Sequence, residues 1–154
     1  MTRAQVRDFA AADLEPASRL LAARFALARD RSTDPATSAP DTDACRAALQ
    51  AQLSGKHVRG VLATRGSEPV GFLLAQRSTS APDSVQAYFS PAFSVAIPLA
   101  GHAVAANEEP LELYRALYAG LAGELVADGF LEHGIGVLES ERSQARSFQV
   151  KLAS

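Results

Sequence analysis

The spacing of apolar and polar positions divides the chain into short segments of strand and helix character. Residues 5–9 predict a first strand. Asp13 is the expected N-cap of the helix that follows, with Pro16 in its first turn, where a missing N–H is tolerated. The apolar face of this helix has helical spacing and consists of Leu14, Ala17, Leu20, Leu21 and Phe25.

A polar stretch separates this helix from a second one. Residues 32–43 are rich in Ser, Thr, Pro and Asp, which predicts a loop. The second helix is predicted to start near Asp41–Asp43 and to end at Gly55. Its apolar face consists of Cys45, Ala48, Leu49 and Leu53.

The clearest β pattern lies in the middle of the chain. Apolar runs at 57–64 and 69–76 flank a short polar turn that contains Gly66, a pattern typical of a hairpin. After a polar loop, residues 85–89 and 93–106 predict further strands. Pro98 interrupts the second of these and indicates a bulge or an edge position.

The strongest helix pattern opens at Asn107-Glu-Glu-Pro and is predicted to end at Asp128-Gly129. Residues 130–138 predict another strand, and residues 139–152 a last helix. The resulting order, β-α-α-β-β-β-α-β-α, predicts a single α/β (α+β) domain over residues 1–154.

Composition narrows the class of protein. Hydrophobic residues make up 47% of the chain, which excludes general disorder. The net charge of −2 gives no electrostatic reason to expect a nucleic acid or an anionic membrane as partner. The single cysteine, Cys45, predicts no internal disulfide, and no apolar run approaches the ~20 residues of a membrane span. With a polar N-terminus, these features predict a cytoplasmic protein.

Two stretches, residues 60–75 and residues 113–129 leading into 133–137, together with the order of elements, resemble the GNAT superfamily of acyl-CoA-dependent acyltransferases. The resemblance implies a mixed, mostly antiparallel sheet with helices on both faces. It also implies transfer of an acetyl group from acetyl-CoA to an amine, by direct attack in a ternary complex. The coenzyme contacts that it implies fall on Val104, Ala106, Asn107 and Ser140.

The chain departs from this family where the coenzyme's diphosphate binds. Members of the family carry a glycine-containing turn there, whose backbone N–H groups approach the phosphates at a helix N-terminus. The matching segment, residues 105–110, has no glycine, and Pro110 lacks an N–H. Glu108 and Glu109 would bring like charge to the phosphates, although carboxylates are also common at helix starts.

A second departure concerns length. The family continues past its fourth helix with strands that complete the sheet, whereas this chain ends at Ser154. The expectation is a domain that is incomplete at its C-terminus. Either the chain is a fragment, or a second copy or a second GNAT-like domain completes the sheet.

Candidate chemical groups are few. His102 is a candidate general base, because the reference pKa of histidine lies near neutrality, and a locally bonded strand histidine is the alternative. Glu139 is a second candidate base, with a solvated helix-start acid as its alternative. His57, His102 and His133 lack metal-ligand spacing, so no metal site is predicted.

Tyr114 and Tyr118 lie four residues apart on one helix face. A phenol can donate a proton to a leaving thiolate, but both tyrosines are interpreted as core residues with their hydroxyls at the edge. Cys45 is interpreted as a small core residue. Two hypotheses follow: an acetyl-CoA-dependent N-acyltransferase, or a non-catalytic GNAT-like domain that has lost coenzyme A binding and serves a partner or regulatory role.

Overall fold

The computed structural model describes residues 3–31, 38–55, 58–77, 94–129 and 132–137. These ranges contain six strands, three α-helices and a short 3₁₀ turn, Ala11–Asp13. The strands are β1 (Ala4–Asp8), β2 (Arg59–Arg65), β3 (Glu68–Arg77), β4 (Ser94–Ile97), β5 (His102–Val104) and β6 (Glu132–Ile135). The helices are α1 (Leu14–Arg31), α2 (Thr42–Leu53) and α3 (Pro110–Ala127).

The strands form one mixed sheet in the order β1-β2-β3-β4-β6. The pairs β1–β2, β2–β3 and β3–β4 are antiparallel, and β4–β6 is parallel. β5 also pairs with β3, antiparallel, through Gly71↔Val104 and Leu73↔His102. One edge of β3 therefore carries β4 near its end and β5 near its middle.

Helices cover both faces of the sheet because the strands bury alternate residues on opposite sides. One core lies under α1 and α2 and includes Leu21, Leu49 and Phe72. The other lies under α3 and includes Val61, Leu73 and Leu117. The predicted mixed, mostly antiparallel sheet with helices on both faces is thus confirmed.

Turn glycines end two of these elements. Gly66, with φ of 67°, allows the tight turn between β2 and β3, and Gly129, with φ of 94°, follows the end of α3. α2, by contrast, ends at Leu53 with Ser54 as its C-cap, and Gly55 does not adopt a left-handed conformation.

The prediction of Asp13 as N-cap of α1 is wrong. Asp13 closes the 3₁₀ turn that precedes the helix, and its carboxylate accepts from the Ala10 N–H at 2.7 Å. Both oxygens also bind Arg7, at 2.7 and 2.9 Å. The partner that sequence reasoning lacked is Arg7, because β1 and α1 meet only in the folded chain.

The predicted strand at 85–89 and the predicted last helix lie outside the described residues. Within the described ranges, no helix is both long enough and apolar enough to span a bilayer.

Candidate functional site

The strand predicted over residues 93–106 is interrupted at Pro98, as its sequence indicated. β4 ends at Ile97, a turn covers residues 98–101, and β5 resumes at His102. The turn is closed by a bond from the Gly101 N–H to the Pro98 carbonyl at 2.8 Å. A Cβ on Gly101 would lie 2.8 Å from the Pro98 Cδ, so the turn requires a glycine at this position.

The turn lies between β4, which runs parallel to β6, and β5, which runs antiparallel to β3. β4 and β6 pair as far as Ile97↔Ile135, and the Gly136 N–H donates to the Ile97 carbonyl at 2.8 Å. Beyond that point, β5 pairs with β3. We call the region where β5 faces the end of β6, formed by His102–Val104 and Gly136, the strand junction.

The peptide groups of β5 alternate in direction. Leu74 N–H donates to the Gly101 carbonyl at 2.7 Å, and Ala105 N–H donates to the Val70 carbonyl at 2.8 Å. In an antiparallel ladder the intervening residues therefore direct their N–H and C=O groups away from β3. The main-chain groups of His102 and Val104 point toward the strand junction.

A buried arginine from α1 contacts this backbone. Arg24 is 7% exposed, and its Nη1 donates to the carbonyls of Leu99 at 2.6 Å and His102 at 3.0 Å. From α2, the Gln52 amide donates to the Ala100 carbonyl at 3.1 Å. The Arg24 bonds are charge-assisted and therefore stronger than the neutral Gln52 bond, and together they tie the interruption between β4 and β5 to two helices.

The side chain of His102 lies on the opposite face, the one that α3 covers. It is 2% exposed, and its two ring nitrogens have separate partners. Nε2 lies 2.6 Å from the Gly136 carbonyl, and Nδ1 lies 2.7 Å from the Tyr114 hydroxyl. The Tyr114 ring meets the imidazole edge-on, with centroids 5.4 Å apart.

In a neutral imidazole, the two partners determine which ring nitrogen carries the hydrogen. A carbonyl oxygen only accepts, so Nε2 carries the hydrogen and donates to Gly136. Nδ1 is then the acceptor, and the Tyr114 hydroxyl donates to it. In the neutral form, the hydrogen bonds therefore run in one direction: Tyr114 donates to His102, and His102 donates to the Gly136 carbonyl.

The start of α3 has a different character. Both oxygens of Glu108 bind the Arg65 guanidinium, at 2.6 and 3.0 Å, and the Glu108 side chain is 10% exposed. This contact raises the pKa of Arg65. Glu109 is the N-cap of α3, where its carboxylate accepts from the Leu111 N–H at 3.4 Å.

Comparison with known proteins gives a match only at the level of structure. Neither a family model nor a curated protein matches the sequence. An aminoglycoside N-acetyltransferase AAC(6')-Iy in complex with CoA superposes with a TM-score of 0.63 and 16% identity, over 97% of this chain and 87% of that one.

Two further structures match over nearly the whole chain. An acetyltransferase from Thermus thermophilus gives a TM-score of 0.65 at 19% identity, over 98% of this chain and 88% of that one. A transcriptional regulator from Bacillus halodurans C-125 gives 0.66 at 18% identity, over 99% and 93%. The chain has the GNAT fold.

The GNAT fold brings some of the predicted site residues together and leaves others apart. His102 and Val104 lie in β5 at the strand junction, whereas Ala106 and Asn107 are exposed in the turn before α3. The remaining predicted residues, Glu139 and Ser140, lie outside the described part of the chain.

The structure changes two interpretations. Tyr114 is not merely a core residue with its hydroxyl at the edge, because the hydroxyl binds His102. Glu108 is not an unpaired carboxylate at the start of α3, because Arg65 neutralises it. The side chain of Cys45 is buried as predicted, and burial raises the pKa of its thiol.

Sequence reasoning missed Arg24, which continues the buried face of α1. The spacing Ala17, Leu21, Arg24 is that of one helix face, so an arginine at the third position indicated a buried cation that needs acceptors. Which carbonyls it binds could not be read from the pattern.

The described residues suit the pantetheine arm of acetyl-CoA better than its diphosphate. Polar main-chain groups of β5 at the strand junction suit the amide-containing pantetheine arm. The start of α3 is less suited to the diphosphate, because Pro110 has no N–H and the Glu109 carboxylate already accepts from Leu111. Among the described residues, no group of three or more His, Cys, Asp and Glu is arranged to bind a metal ion.

Proposed function

We propose that this chain is an N-acyltransferase that moves an acetyl group from acetyl-CoA to an amine. The observation that carries the proposal is the buried hydrogen-bonded chain Tyr114–His102–Gly136, located just beyond the described pairing of β4 with β6. Buried polar groups at such a position are candidates for proton transfer.

Support for the donor comes from the fold and from the backbone of β5. One protein of the same fold is in complex with CoA. In this chain the N–H and C=O groups of Val104 point away from β3, and we place an extended pantetheine arm where it would bond to them. The protein's part is then to hold the thioester and the amine together and to remove a proton.

Calorimetric titration tests the donor. We expect acetyl-CoA and acetyl-pantetheine to bind, and the phosphorylated adenosine portion of CoA alone to bind weakly, because the start of α3 carries acidic side chains. Absence of binding by acetyl-CoA at millimolar concentration would contradict the proposal.

Thiol release tests the reaction. The chain is mixed with acetyl-CoA and a panel of amines that contains an aminoglycoside, a polyamine and a peptide N-terminus, and free thiol is detected with a disulfide reagent. Cys45 interferes little in such an assay, because it is 1% exposed and its pKa is raised by burial and by nearby Asp41. A reaction without protein, and one without amine, serve as controls.

A second candidate function is a non-catalytic domain with a partner or regulatory role. It is favoured by the internal bonding of groups that a donor would use: Arg24 occupies the His102 carbonyl, and Glu109 occupies the Leu111 N–H. A folded chain that binds neither acetyl-CoA nor acetyl-pantetheine would support this second function.

A further inference from the structure

The carbonyl groups of residues 97–102, in the turn between β4 and β5 and at its two ends, all have hydrogen-bond donors. Arg24 binds two of them, at Leu99 and His102, and the Gln52 amide binds the one at Ala100. The other three accept from main-chain N–H groups: Ile97 from Gly136, Pro98 from Gly101, and Gly101 from Leu74. A ligand that approaches this turn therefore meets no carbonyl that lacks a donor.

Arg24 takes the place of a strand partner at the start of β5. The His102 carbonyl points away from β3, so in a wider sheet it would accept from the next strand. Here the Arg24 Nη1 donates to it at 3.0 Å, and the same nitrogen donates to the Leu99 carbonyl at 2.6 Å. The guanidinium thus ties the turn to the first residue of β5 and fills the first outward acceptor position of that strand.

The next main-chain groups of β5 that point away from β3 belong to Val104, because outward groups recur every second residue. No described residue bonds to the N–H or the C=O of Val104 on that side. Along this edge of β5, the acceptor at His102 is therefore engaged by a side chain of the same protein, whereas the groups of Val104 are not.

Burial makes Arg24 a fixed stop at this edge. The residue is 7% exposed, and both of its described bonds to the turn are charge-assisted. A ligand amide that displaced it would gain one neutral hydrogen bond and would leave a buried cation without these acceptors. The loss exceeds the gain, so we expect Arg24 to keep its position when a ligand binds.

We propose that Arg24 is a positioning residue for the acyl transfer: by occupying the His102 carbonyl, it makes a pantetheine arm start its main-chain bonds at Val104. This inference rests on the proposed function, which places the arm beside Val104. With the His102 carbonyl open, the arm could also bind one step further along β5, and its thioester would move by about 7 Å, the rise of two strand residues. Arg24 thus selects a single register, and with it a single position of the thioester relative to the amine.

A purely structural role for Arg24 has different consequences. Loss of a structural arginine lowers stability, ligand affinity and turnover together. Loss of a register stop leaves the affinity for the arm nearly unchanged, because the shifted arm still bonds to β5, but it lowers turnover, because part of the bound thioester is out of reach of the amine. The ratio of the two effects distinguishes the roles.

The kinetic test uses three variants. Arg24→Met removes the guanidinium, and Arg24→Lys keeps the charge but cannot span two carbonyls in the same way. Arg46→Met is the matched control, because Arg46 binds Glu15 and Asp43 and not the turn. We expect kcat to fall about 10-fold in Arg24→Lys and about 100-fold in Arg24→Met, while Kd for acetyl-pantetheine stays within about threefold of the parent. Arg46→Met should match the parent in both.

Thermal unfolding shows which variants are folded, and Arg24→Lys is included because Arg24→Met has the larger structural cost. A folded Arg24→Lys or Arg24→Met protein with parental kcat would overturn the positioning role. So would a parallel loss of kcat and of affinity for acetyl-pantetheine, which is the structural outcome.

Carbonyl-carbon and amide NMR of the parent protein tests the register without any variant. Addition of acetyl-pantetheine should shift the amide and carbonyl resonances of Val104 and leave the His102 carbonyl in place. In Arg24→Lys, the His102 carbonyl should shift as well. A His102 carbonyl that moves as much as that of Val104 in the parent would overturn the role of Arg24 and leave the proposed function intact. A folded parent that binds neither acetyl-CoA nor acetyl-pantetheine would overturn the proposed function and, with it, this role.

Discussion

Two polar clusters lie near the first turns of α3, and their charged groups have different kinds of hydrogen-bond partners. At the helix start, Arg65 and Glu108 neutralise each other and Glu109 caps the helix. At the strand junction, Arg24 and His102 are almost fully buried, and main-chain carbonyls accept hydrogen bonds from them.

The difference teaches which cluster can be altered without loss of structure. A partly exposed ion pair such as Arg65–Glu108 replaces contacts with water and returns modest stability, whereas a buried cation leaves unsatisfied carbonyls when it is removed. The helix start is therefore expected to tolerate sequence change better than the strand junction. The strand junction depends on groups from α1, from β5 and from Gly136, which follows β6.

The largest expected effect comes from removing the buried arginine. Arg24→Met should lower the free energy of unfolding by about 3 kcal/mol, because the Leu99 and His102 carbonyls lose a charged donor. Urea unfolding measures the change. Arg65→Met is the matched control and should cost less, because the Arg65 side chain is 36% exposed and its charge is already partly hydrated. Equal losses in the two variants would remove the distinction between the clusters.

The second test adds a methyl group at Gly136 in the strand junction. A Cβ on Gly136 would lie 2.8 Å from the Leu99 backbone nitrogen, whereas one on Gly134 meets no described residue within 4 Å. Gly136→Ala should therefore cost about 1–3 kcal/mol of stability and displace the carbonyl that binds His102. Gly134→Ala should change stability little. Similar thermal stability of the two variants would show that the close approach at Gly136 is unnecessary.

The third test uses pH at the Arg7–Asp13 contact, which pairs an exposed arginine with a buried carboxylate. Asp13 is 5% exposed, and its contact with Arg7 holds its pKa below the usual value. Its contribution is then present above the unfolded aspartate pKa of about 3.9 and is lost as pH falls through the folded value. Asp13→Asn should cost about 1–2 kcal/mol at pH 7 and progressively less as the pH falls through the folded pKa of Asp13. A cost that persists unchanged in acid would contradict this account.

The smallest expected effect concerns coenzyme affinity at the helix start. Combined Asn107→Gly and Glu109→Gly substitutions should tighten acetyl-CoA binding about fivefold, or ~1 kcal/mol, because a carboxylate near the diphosphate is removed. Affinity for acetyl-pantetheine, which has no diphosphate, should not change. An unchanged Kd for acetyl-CoA would count against placing the diphosphate at this turn.

Much of the fold followed from periodicity. The hairpin around Gly66, the buried face of α2 around Cys45 and the interruption at Pro98 were all predicted, because each is encoded by neighbouring residues. The prediction for Asp13 was wrong because its role depends on Arg7, which belongs to another element. Of the candidate site, only His102 and Val104 were identified at what became the strand junction.

The sequence by itself determined which residues are buried and in which local conformation, since helical and strand spacing report burial directly. The tertiary structure alone decided which polar groups meet. Arg24 reaches a carbonyl 75 residues away, and His102 reaches one 34 residues away. Such partners are set when α1 and α3 dock on the sheet and β6 pairs with β4, because a buried donor must find an acceptor and local sequence does not say where that acceptor lies.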